Sequence, residues 1–280
     1  MQLFHPLVGV FDSGIGGLNV LDACAARCPG ACYLYFGDNA HAPYGSRTQG
    51  EIVSLTRRAM RLFSRLGADA AVLACNTATA AAAERMRAEF AFPVVGVEPA
   101  VLPAAARCAR VLVLATPHTA SSRRLASLVA RARGCRVEVR ACPGLASAVE
   151  GAGGDFASLD LSAHLPRVSC DGVVLGCTHY CFLRDRISAF YRAPVFDGCD
   201  GTARRLAALL GLGCACGQGD VTTRPAPIGT DDHFPENPNK FSDFCLKRGK
   251  NGKKTVIFFL GEGKMANLIQ YEQMFLLQRP

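Results

Sequence analysis

Residues 7–14, LVGVFDSG, form a short apolar run that ends in small polar residues and is followed by a helical pattern. The same arrangement returns at residues 70–77 (AAVLACNT), 111–116 (VLVLAT) and 172–179 (GVVLGCTH). Continuous apolar runs that alternate with helices are typical of parallel strands covered by helices on both faces. The sequence therefore predicts an α/β fold with doubly wound, mainly parallel sheets.

The spacing of these runs indicates an internal duplication. Asp12 and Cys75 are 63 positions apart, and Thr116 and Cys177 are 61 positions apart. A Pro-Val pair follows the two cysteines after 18 and 17 positions, respectively. Self-similarity of this kind predicts two pseudosymmetric α/β domains that face each other across a cleft.

The domain boundaries follow from the duplication and from a change in composition. We assign residues 1–98 to a first domain, completed by about 203–217, and residues 99–202 to a second. Residues 218–280 form an atypical polar tail, and the part up to residue 254 is expected to be exposed or partly disordered. Residues 255–260 are predicted to form a strand and residues 265–277 an amphipathic helix.

Composition and charge exclude several classes of protein. The net charge of +8 comes from arginines spread along helical segments, whereas nucleic-acid binding concentrates positive charge on one face or arm. No apolar stretch approaches the roughly 20 residues that span a bilayer, and the N-terminus lacks the features of a signal peptide. We expect a cytoplasmic protein without nucleic-acid or membrane partners.

The 14 cysteines do not form a recognisable metal or disulfide pattern. Cys24, Cys28 and Cys32 have a spacing one residue too long for the CxxxCxxC cluster motif, and Cys214 and Cys216 have no second pair. In a large chain without an export signal, most cysteines are buried small hydrophobic residues. No metal site is expected.

Four residues stand at the predicted strand ends, where open α/β sheets bind their ligands. They are Asp12, Cys75, Thr116 and Cys177. Two thiols on opposite sides of one carbon can remove a proton from one face and deliver a proton to the other, which inverts a stereocentre. Near-attack contacts would hold the two sulfurs about 6–7 Å apart, too far for a disulfide bond of about 2 Å.

Five motifs, in order along residues 7–212, resemble the glutamate racemases. They are VFDSGIGGL (10–18), YFGD (35–38), PYG (43–45), CNTAT (75–79) and LGCTHY (175–180). The resemblance implies two pseudosymmetric α/β domains and cofactor-independent interconversion of L- and D-glutamate, which supplies D-glutamate for peptidoglycan. The partner would be this small acidic substrate, and a homodimer is retained as a candidate assembly. The tail and residues 39–42 depart from the family pattern.

The resemblance also implies the roles of catalytic residues. Cys75 would act on the D-enantiomer and Cys177 on the L-enantiomer. Asp12 and Ser13 would contact the substrate amino group and assist Cys75, while His179 would assist Cys177.

Further positions match substrate-binding residues of the family. Those that would hold the carboxylates are Tyr44, Gly45, Asn76, Thr77 and Thr178, with Thr116 and Thr119 as a less close match. Glu150 matches an acidic position near the second cysteine, and Thr79 is expected to pack inside its helix.

Structural roles stay open as alternatives for several of these residues. Asp12 and Ser13 also suit the start of the helix after Gly14, and His179 also suits a core histidine. Tyr44-Gly45 also suits a turn, and Glu150 also suits a surface charge.

Three other functions stay open. A related racemase or decarboxylase acting on aspartate or another small acid would share the strand-end cysteines. A hydrolase with a cysteine nucleophile would need one of them. A two-domain binding protein would need neither.

Overall fold

The computed structural model describes residues 5–212 and the backbone of two later segments, 244–248 and 254–261. The first half contains four strands and three helices. They are β1 (Leu7–Asp12), α1 (Leu18–Arg27), β2 (Cys32–Gly37), α2 (Gln49–Arg65), β3 (Ala70–Leu73), α3 (Asn76–Glu89) and β4 (Val94–Gly96). Two 3-10 helices, Asn39–His41 and Tyr44–Ser46, lie between β2 and α2.

The second half repeats this alternation with additional short helices. Its elements are α4 (Val101–Ala105), β5 (Arg110–Ala115), α5 (Pro117–Ala120), α6 (Arg123–Arg131), β6 (Arg136–Ala141), α7 (Leu145–Gly151), β7 (Gly172–Gly176), α8 (Arg184–Tyr191), β8 (Val195–Phe196) and α9 (Cys199–Leu209). Two 3-10 helices, Leu161–Ala163 and Thr178–Leu183, precede and follow β7. Beyond them lie β9 (Phe244–Arg248) and β10 (Lys254–Gly261).

The strands form two sheets, and the α/β prediction with mainly parallel sheets is confirmed. One sheet has the order β4-β3-β1-β2-β10-β9 and the other the order β6-β5-β7-β8. All pairings in the second sheet are parallel, and in the first sheet β9 alone runs antiparallel to its neighbour. The first four strands of each half have the same spatial order, so β1 corresponds to β5 and β3 to β7.

The C-terminal segment extends the first sheet. The strand predicted at residues 255–260 lies within β10, which pairs in parallel with β2. No strand is predicted from the sequence at residues 244–248, where β9 pairs antiparallel with β10. That residues 218–254 are exposed or partly disordered stays a prediction. The helix predicted at residues 265–277 lies outside the described residues.

One buried apolar cluster runs through both halves of the molecule. It joins Val8 and Val10 of β1 to Leu112 of β5 and Leu175 of β7, all buried. Helix α9 then returns to the first half and packs against α1. In the described part of the chain, no helix has both the length and the apolar character needed to cross a membrane.

Candidate active site

The carboxyl ends of the central strands carry the polar residues that the sequence singled out. Asp12 ends β1, Cys75 follows β3, Thr116 follows β5 and Cys177 follows β7. Each is at most 5% exposed. Since β1 corresponds to β5 and β3 to β7, the two cysteines occupy equivalent positions in the two halves.

Hydrogen bonds between the halves show that these strand ends meet. The Thr178 hydroxyl, from the second half, donates to Asp12 Oδ1 at 3.4 Å. The Thr77 hydroxyl, from the first half, lies 3.0 Å from that of Thr116 and 3.3 Å from that of Thr119. The two sets of strand-end loops therefore form one buried site.

A glycine allows this close approach. A Cβ atom placed on Gly16 would lie 2.7 Å from the backbone nitrogen of His179 and 2.7 Å from the Thr178 hydroxyl. Any larger residue would push the 3-10 helix Thr178–Leu183 away from the loop after β1. Glycine at position 16 is therefore required by packing between the halves.

Cys75 lies at the N-terminus of α3, where it acts as the N-cap. The Ala78 N–H donates to its sulfur at 3.4 Å, and the Ser13 hydroxyl lies 3.5 Å from the same sulfur. Burial, with a smaller contribution from the negative charge of Asp12, raises the pKa of Cys75 to about 12, although the two hydrogen bonds oppose the rise. At neutral pH Cys75 is therefore a protonated thiol, ready to donate a proton.

Asp12 is completely buried beneath the site. Its Oδ2 accepts the Gly14 N–H at 2.9 Å, as expected for a residue that also shapes the turn before α1. Burial raises the pKa of Asp12, and the positive charge of His179 and the Gly14 N–H only partly oppose this effect. A carboxyl group with a raised pKa can exchange a proton with its neighbours.

Cys177 begins a chain of polar contacts on the opposite side. Its sulfur lies 3.7 Å from His179 Nδ1, and His179 Nε2 lies 2.5 Å from Glu150 Oε1. Burial lowers the pKa of His179. Its hydrogen bonds with Cys177 and Glu150 and the negative charges of these groups raise the pKa by a larger amount, so it lies well above the ordinary value. His179 therefore has the partners of an imidazolium that stabilises a thiolate on Cys177.

Glu150 connects this chain to the first half of the molecule. Its Oε1 also accepts the Ile15 N–H, at 2.9 Å, from the loop after β1. The carboxylate thus binds His179 in its own half and the backbone of the other half. Glu150 is therefore not a free surface charge, and both ring nitrogens of His179 have partners. A catalytic role for His179 stays a prediction.

A set of neutral donors lines the rest of the site. Asn76 Nδ2 is one of two buried side-chain nitrogen atoms that lack a hydrogen-bond partner within the described residues. An unpaired buried donor costs roughly 1–3 kcal/mol, and a ligand carboxylate would satisfy it. Asn76 and the hydroxyls of Thr77, Thr116 and Thr119 therefore supply hydrogen bonds suited to an anion.

The Tyr44-Gly45 segment lies against the second half. A Cβ atom on Gly45 would approach the Cβ of Thr116 to 2.9 Å, so the backbone here is close to the strand-end site. The Tyr44 hydroxyl donates to Asp38 Oδ2 at 2.5 Å. Since the Tyr44 hydroxyl is bonded to Asp38, we expect this segment to contact a ligand through its backbone and not through the Tyr44 side chain.

Two residues that were not predicted from the sequence, Asp38 and Asn19, contact the predicted site residues. Asp38, which is buried, accepts from Tyr44 and lies 2.7 Å from His41 Nδ1. The Asn19 amide donates to the Thr178 carbonyl at 3.3 Å. Asp38 is the last residue of the YFGD motif (35–38), so the motif could have indicated it, whereas no sequence signal indicated Asn19. Thr79 is buried in α3, as expected, and donates to the Leu73 carbonyl.

A second group of chemically reactive side chains lies outside the strand-end site. One ligand atom from each of Cys181, Asp197 and Cys199 lies within 4.8 Å of the other two. Cys181 follows His179 by two positions on the same 3-10 helix, and Cys199 begins α9.

Comparisons with known proteins agree with this geometry. The family model for the Asp/Glu/Hydantoin racemases matches residues 18–206. The chain is 42% identical over 236 residues to a glutamate racemase of Pseudomonas aeruginosa, covering 80% of this chain and 88% of the relative. It is 38% identical over 219 residues to one from Clostridium perfringens, covering 73% and 83%.

A solved structure shows the same fold. The Escherichia coli glutamate racemase in complex with L-glutamate and the activator UDP-MurNAc-ala superposes with a TM-score of 0.67. The two chains are 31% identical, and the match covers 80% of this chain and 88% of the other. The resemblance found in the sequence motifs is confirmed.

Proposed function

This chain belongs to the Asp/Glu/Hydantoin racemase family, and on that premise we propose that it interconverts L- and D-glutamate with Cys75 and Cys177 as acid and base. The observation that carries the proposal is the placement of the two thiols. They are buried at equivalent strand ends of two matched halves, and each sulfur has its own polar partner, Ser13 for Cys75 and His179 for Cys177.

The reaction needs one thiolate and one thiol. In the L-to-D direction, Cys177 as thiolate removes the α-proton, with His179 and Glu150 stabilising the charged pair. Cys75, which is protonated at neutral pH because burial raises its pKa, delivers a proton to the opposite face. The product is the other enantiomer, with the thiolate now on Cys75. The return reaction, or proton exchange with water, restores the starting state.

Asp12 and Ser13 assist Cys75 in the proposed mechanism. Ser13 hydrogen-bonds to the sulfur, and the buried Asp12 carboxyl lies close enough for its charge to raise the pKa of Cys75. In the D-to-L direction, Asp12 accepts a proton as Cys75 becomes the base. The same two side chains would bind the substrate amino group.

The substrate carboxylates would be bound by neutral donors. Asn76, Thr77 and Thr178, with Thr116 and Thr119, provide amide and hydroxyl groups, and the Tyr44-Gly45 backbone provides N–H groups. A neutral donor set can bind glutamate without pairing each carboxylate with a buried cation, which would carry its own desolvation cost. The overall charge of +8 further suits an acidic substrate.

The decisive experiment follows optical rotation and α-deuteration in deuterated water. Starting from either enantiomer, we expect the rotation to decay to zero and deuterium to appear at the α-carbon, without added pyridoxal phosphate, metal or nucleotide. L- and D-aspartate serve as comparison substrates. Folded protein that changes neither the rotation nor the isotope content of glutamate would overturn the proposal, and turnover of aspartate alone would reassign the substrate.

We extend the proposal to the role of the protein in the cell. The protein would supply D-glutamate to peptidoglycan synthesis in the cytoplasm, without nucleic-acid or membrane partners. It would act as a homodimer. Each subunit would have one domain at residues 1–98, completed by about 203–217, and a second at residues 99–202. Rescue of a D-glutamate auxotroph tests the cellular role. Light scattering of the purified protein tests the assembly, and a monomer at working concentration would exclude the dimer.

A further inference from the structure

Cys181 and Cys199 form a thiol pair outside the strand-end site. They are 18 positions apart in sequence, yet their sulfur atoms lie within 4.8 Å of each other. Cys181 lies on the 3-10 helix Thr178–Leu183, and Cys199 is the first residue of α9. Cys181 is partly exposed, so a small oxidant can reach its sulfur.

We propose that Cys181 and Cys199 are an oxidation site, at which a hydroperoxide converts the two thiols into a disulfide. The Cys181 thiolate attacks the terminal peroxide oxygen, the O–O bond breaks, and the alkoxide or hydroxide leaves. The sulfur is oxidised to a sulfenic acid. Cys199 then attacks that sulfur, the S–S bond forms and water leaves. Overall, two thiols are oxidised, and one hydroperoxide is reduced to an alcohol, or to water if it is hydrogen peroxide, with one further water.

The electrostatic surroundings support the order of attack. Contact with the Cys199 thiol and the positive charges of Arg184 and His179 lower the pKa of Cys181, while burial opposes this effect. Contact with Cys181, burial and the negative charge of Cys181 raise the pKa of Cys199 well above its ordinary value. Because the thiolate is the reactive form of cysteine, Cys181 is suited to attack the oxidant. Once Cys181 is a sulfenic acid, its charge no longer opposes ionisation of Cys199, which attacks the oxidised sulfur and gives up its proton to the departing hydroxide.

A metal ion fits this group less well than a disulfide. Asp197, the third potential ligand, already accepts the Cys199 N–H through Oδ1 at 2.8 Å. Its other oxygen forms an ion pair with Arg184. A metal would have to compete with the Arg184 guanidinium for the carboxylate, whereas joining the two sulfurs leaves both contacts of Asp197 intact.

A disulfide here would connect two parts of the molecule that surround the active site. The 3-10 helix of Cys181 begins with Thr178 and His179, and α9 packs against α1 of the first half. A covalent link would limit movement of the Thr178–His179 segment relative to α9. The oxidation state of the pair would therefore change how far the Thr178–His179 segment can move, without changing a catalytic side chain.

Mapping of thiols in the full-length protein tests the proposal. Reduced protein is treated with a small excess of hydrogen peroxide, alkylated with iodoacetamide, and digested without reductant for mass spectrometry. We expect a linked peptide pair containing Cys181 and Cys199, two hydrogen atoms lighter than the sum of the free peptides, that dithiothreitol separates. Cys199→Ser should lose the link and trap Cys181 as an oxidised sulfur acid.

Cys142→Ser is the matched control, because this buried thiol has a pKa raised to about 12 by burial and should leave the link unchanged. The test on the unsubstituted protein does not depend on whether any variant folds. Recovery of Cys181 and Cys199 as alkylated thiols, while other cysteines are oxidised, would overturn the proposal. So would a Cys24–Cys199 link, or a tightly held zinc ion that is lost in Cys181→Ser.

Discussion

Cys75 and Cys177 occupy equivalent positions but have different partners. Cys75 receives hydrogen bonds from a hydroxyl and a backbone N–H, whereas Cys177 contacts an imidazole that is itself bound to a carboxylate. The duplication in the sequence was sufficient to select these two cysteines from 14. The contact between His179 and Glu150, which are 29 positions apart, depends on how α7 packs beside the end of β7 and could not be read from spacing.

Replacing either thiol should abolish racemisation. For Cys75→Ser and Cys177→Ser we expect turnover to fall by roughly 10²–10⁴-fold or more in both directions, the usual contribution of a positioned acid or base. Rotation of polarised light measures the rate, and Cys142→Ser controls for the loss of a buried thiol. Parent-like turnover in one of the two cysteine variants would favour a single-nucleophile mechanism.

Burial of Asp12 should make the stability of the protein depend on pH. Because its pKa is raised above the ordinary value of 3.8, the folded protein binds this proton more tightly than the unfolded chain. Ionisation therefore destabilises the fold as the pH rises from about 3.8 through the folded-state pKa, by about 1.4 kcal/mol for each pKa unit between the two states.

The change Asp12→Asn removes this titration. Urea unfolding should show the variant gaining stability relative to the parent as the pH rises above about 4, while its racemase activity falls. Asp200→Asn, which removes an exposed carboxylate, is the control for the loss of one carboxyl group. A constant difference between Asp12→Asn and the parent across this pH range would contradict the prediction.

At the scale of elements, the sequence revealed the buried strands better than the edge strands. The apolar runs at residues 7–11, 70–74, 111–115 and 172–176 match β1, β3, β5 and β7 to within one residue at each end. β6, with the sequence RVEVRA, lies at the edge of its sheet and is partly exposed. Because an edge strand with one solvated side has no continuous apolar run, β6 was not predicted from the sequence.

The start of α2 depends on a capping box. The Thr48 side chain accepts the Glu51 N–H, and the Glu51 carboxylate accepts the Thr48 N–H at 2.9 Å. Thr48→Ala should lower the free energy of unfolding by about 1 kcal/mol, because one helix N–H loses its acceptor. Urea denaturation measures the change. Thr48→Ser keeps the hydroxyl and should stay close to the parent, so an equal loss in both variants would argue against the cap.

At the scale of the whole molecule, the matched order of strands explains why two loops distant in sequence form one site. The halves also share a continuous core and the Glu150 bridge to Ile15. The duplication predicted two similar halves, but it gave no information on β9 and β10, the two strands that are added to the first sheet. β9 and β10 come after a polar segment, and β9 belongs to a region whose composition gives no strand signal.

Removing the C-terminal strands should destabilise the first sheet. In a chain that ends after Leu212, β2 loses the partner that β10 provides, and its backbone N–H and C=O groups become an open edge. We expect a lower thermal midpoint, by roughly 2–4 °C for each kcal/mol lost, and a greater tendency to aggregate. A chain that ends after Gly261 keeps β9 and β10 and is the control; equal midpoints for the two shortened chains would contradict the expectation.

The unequal surroundings of the two thiols are subject to a thermodynamic limit. Mirror-image substrates have the same free energy in water, so the equilibrium constant is unity and the ratio kcat/KM is the same for both directions. The difference between Ser13 beside Cys75 and His179 beside Cys177 therefore cannot favour either product. Between the two directions, kcat and KM can differ only by the same factor. Net flow toward one enantiomer must come from the reaction that consumes it.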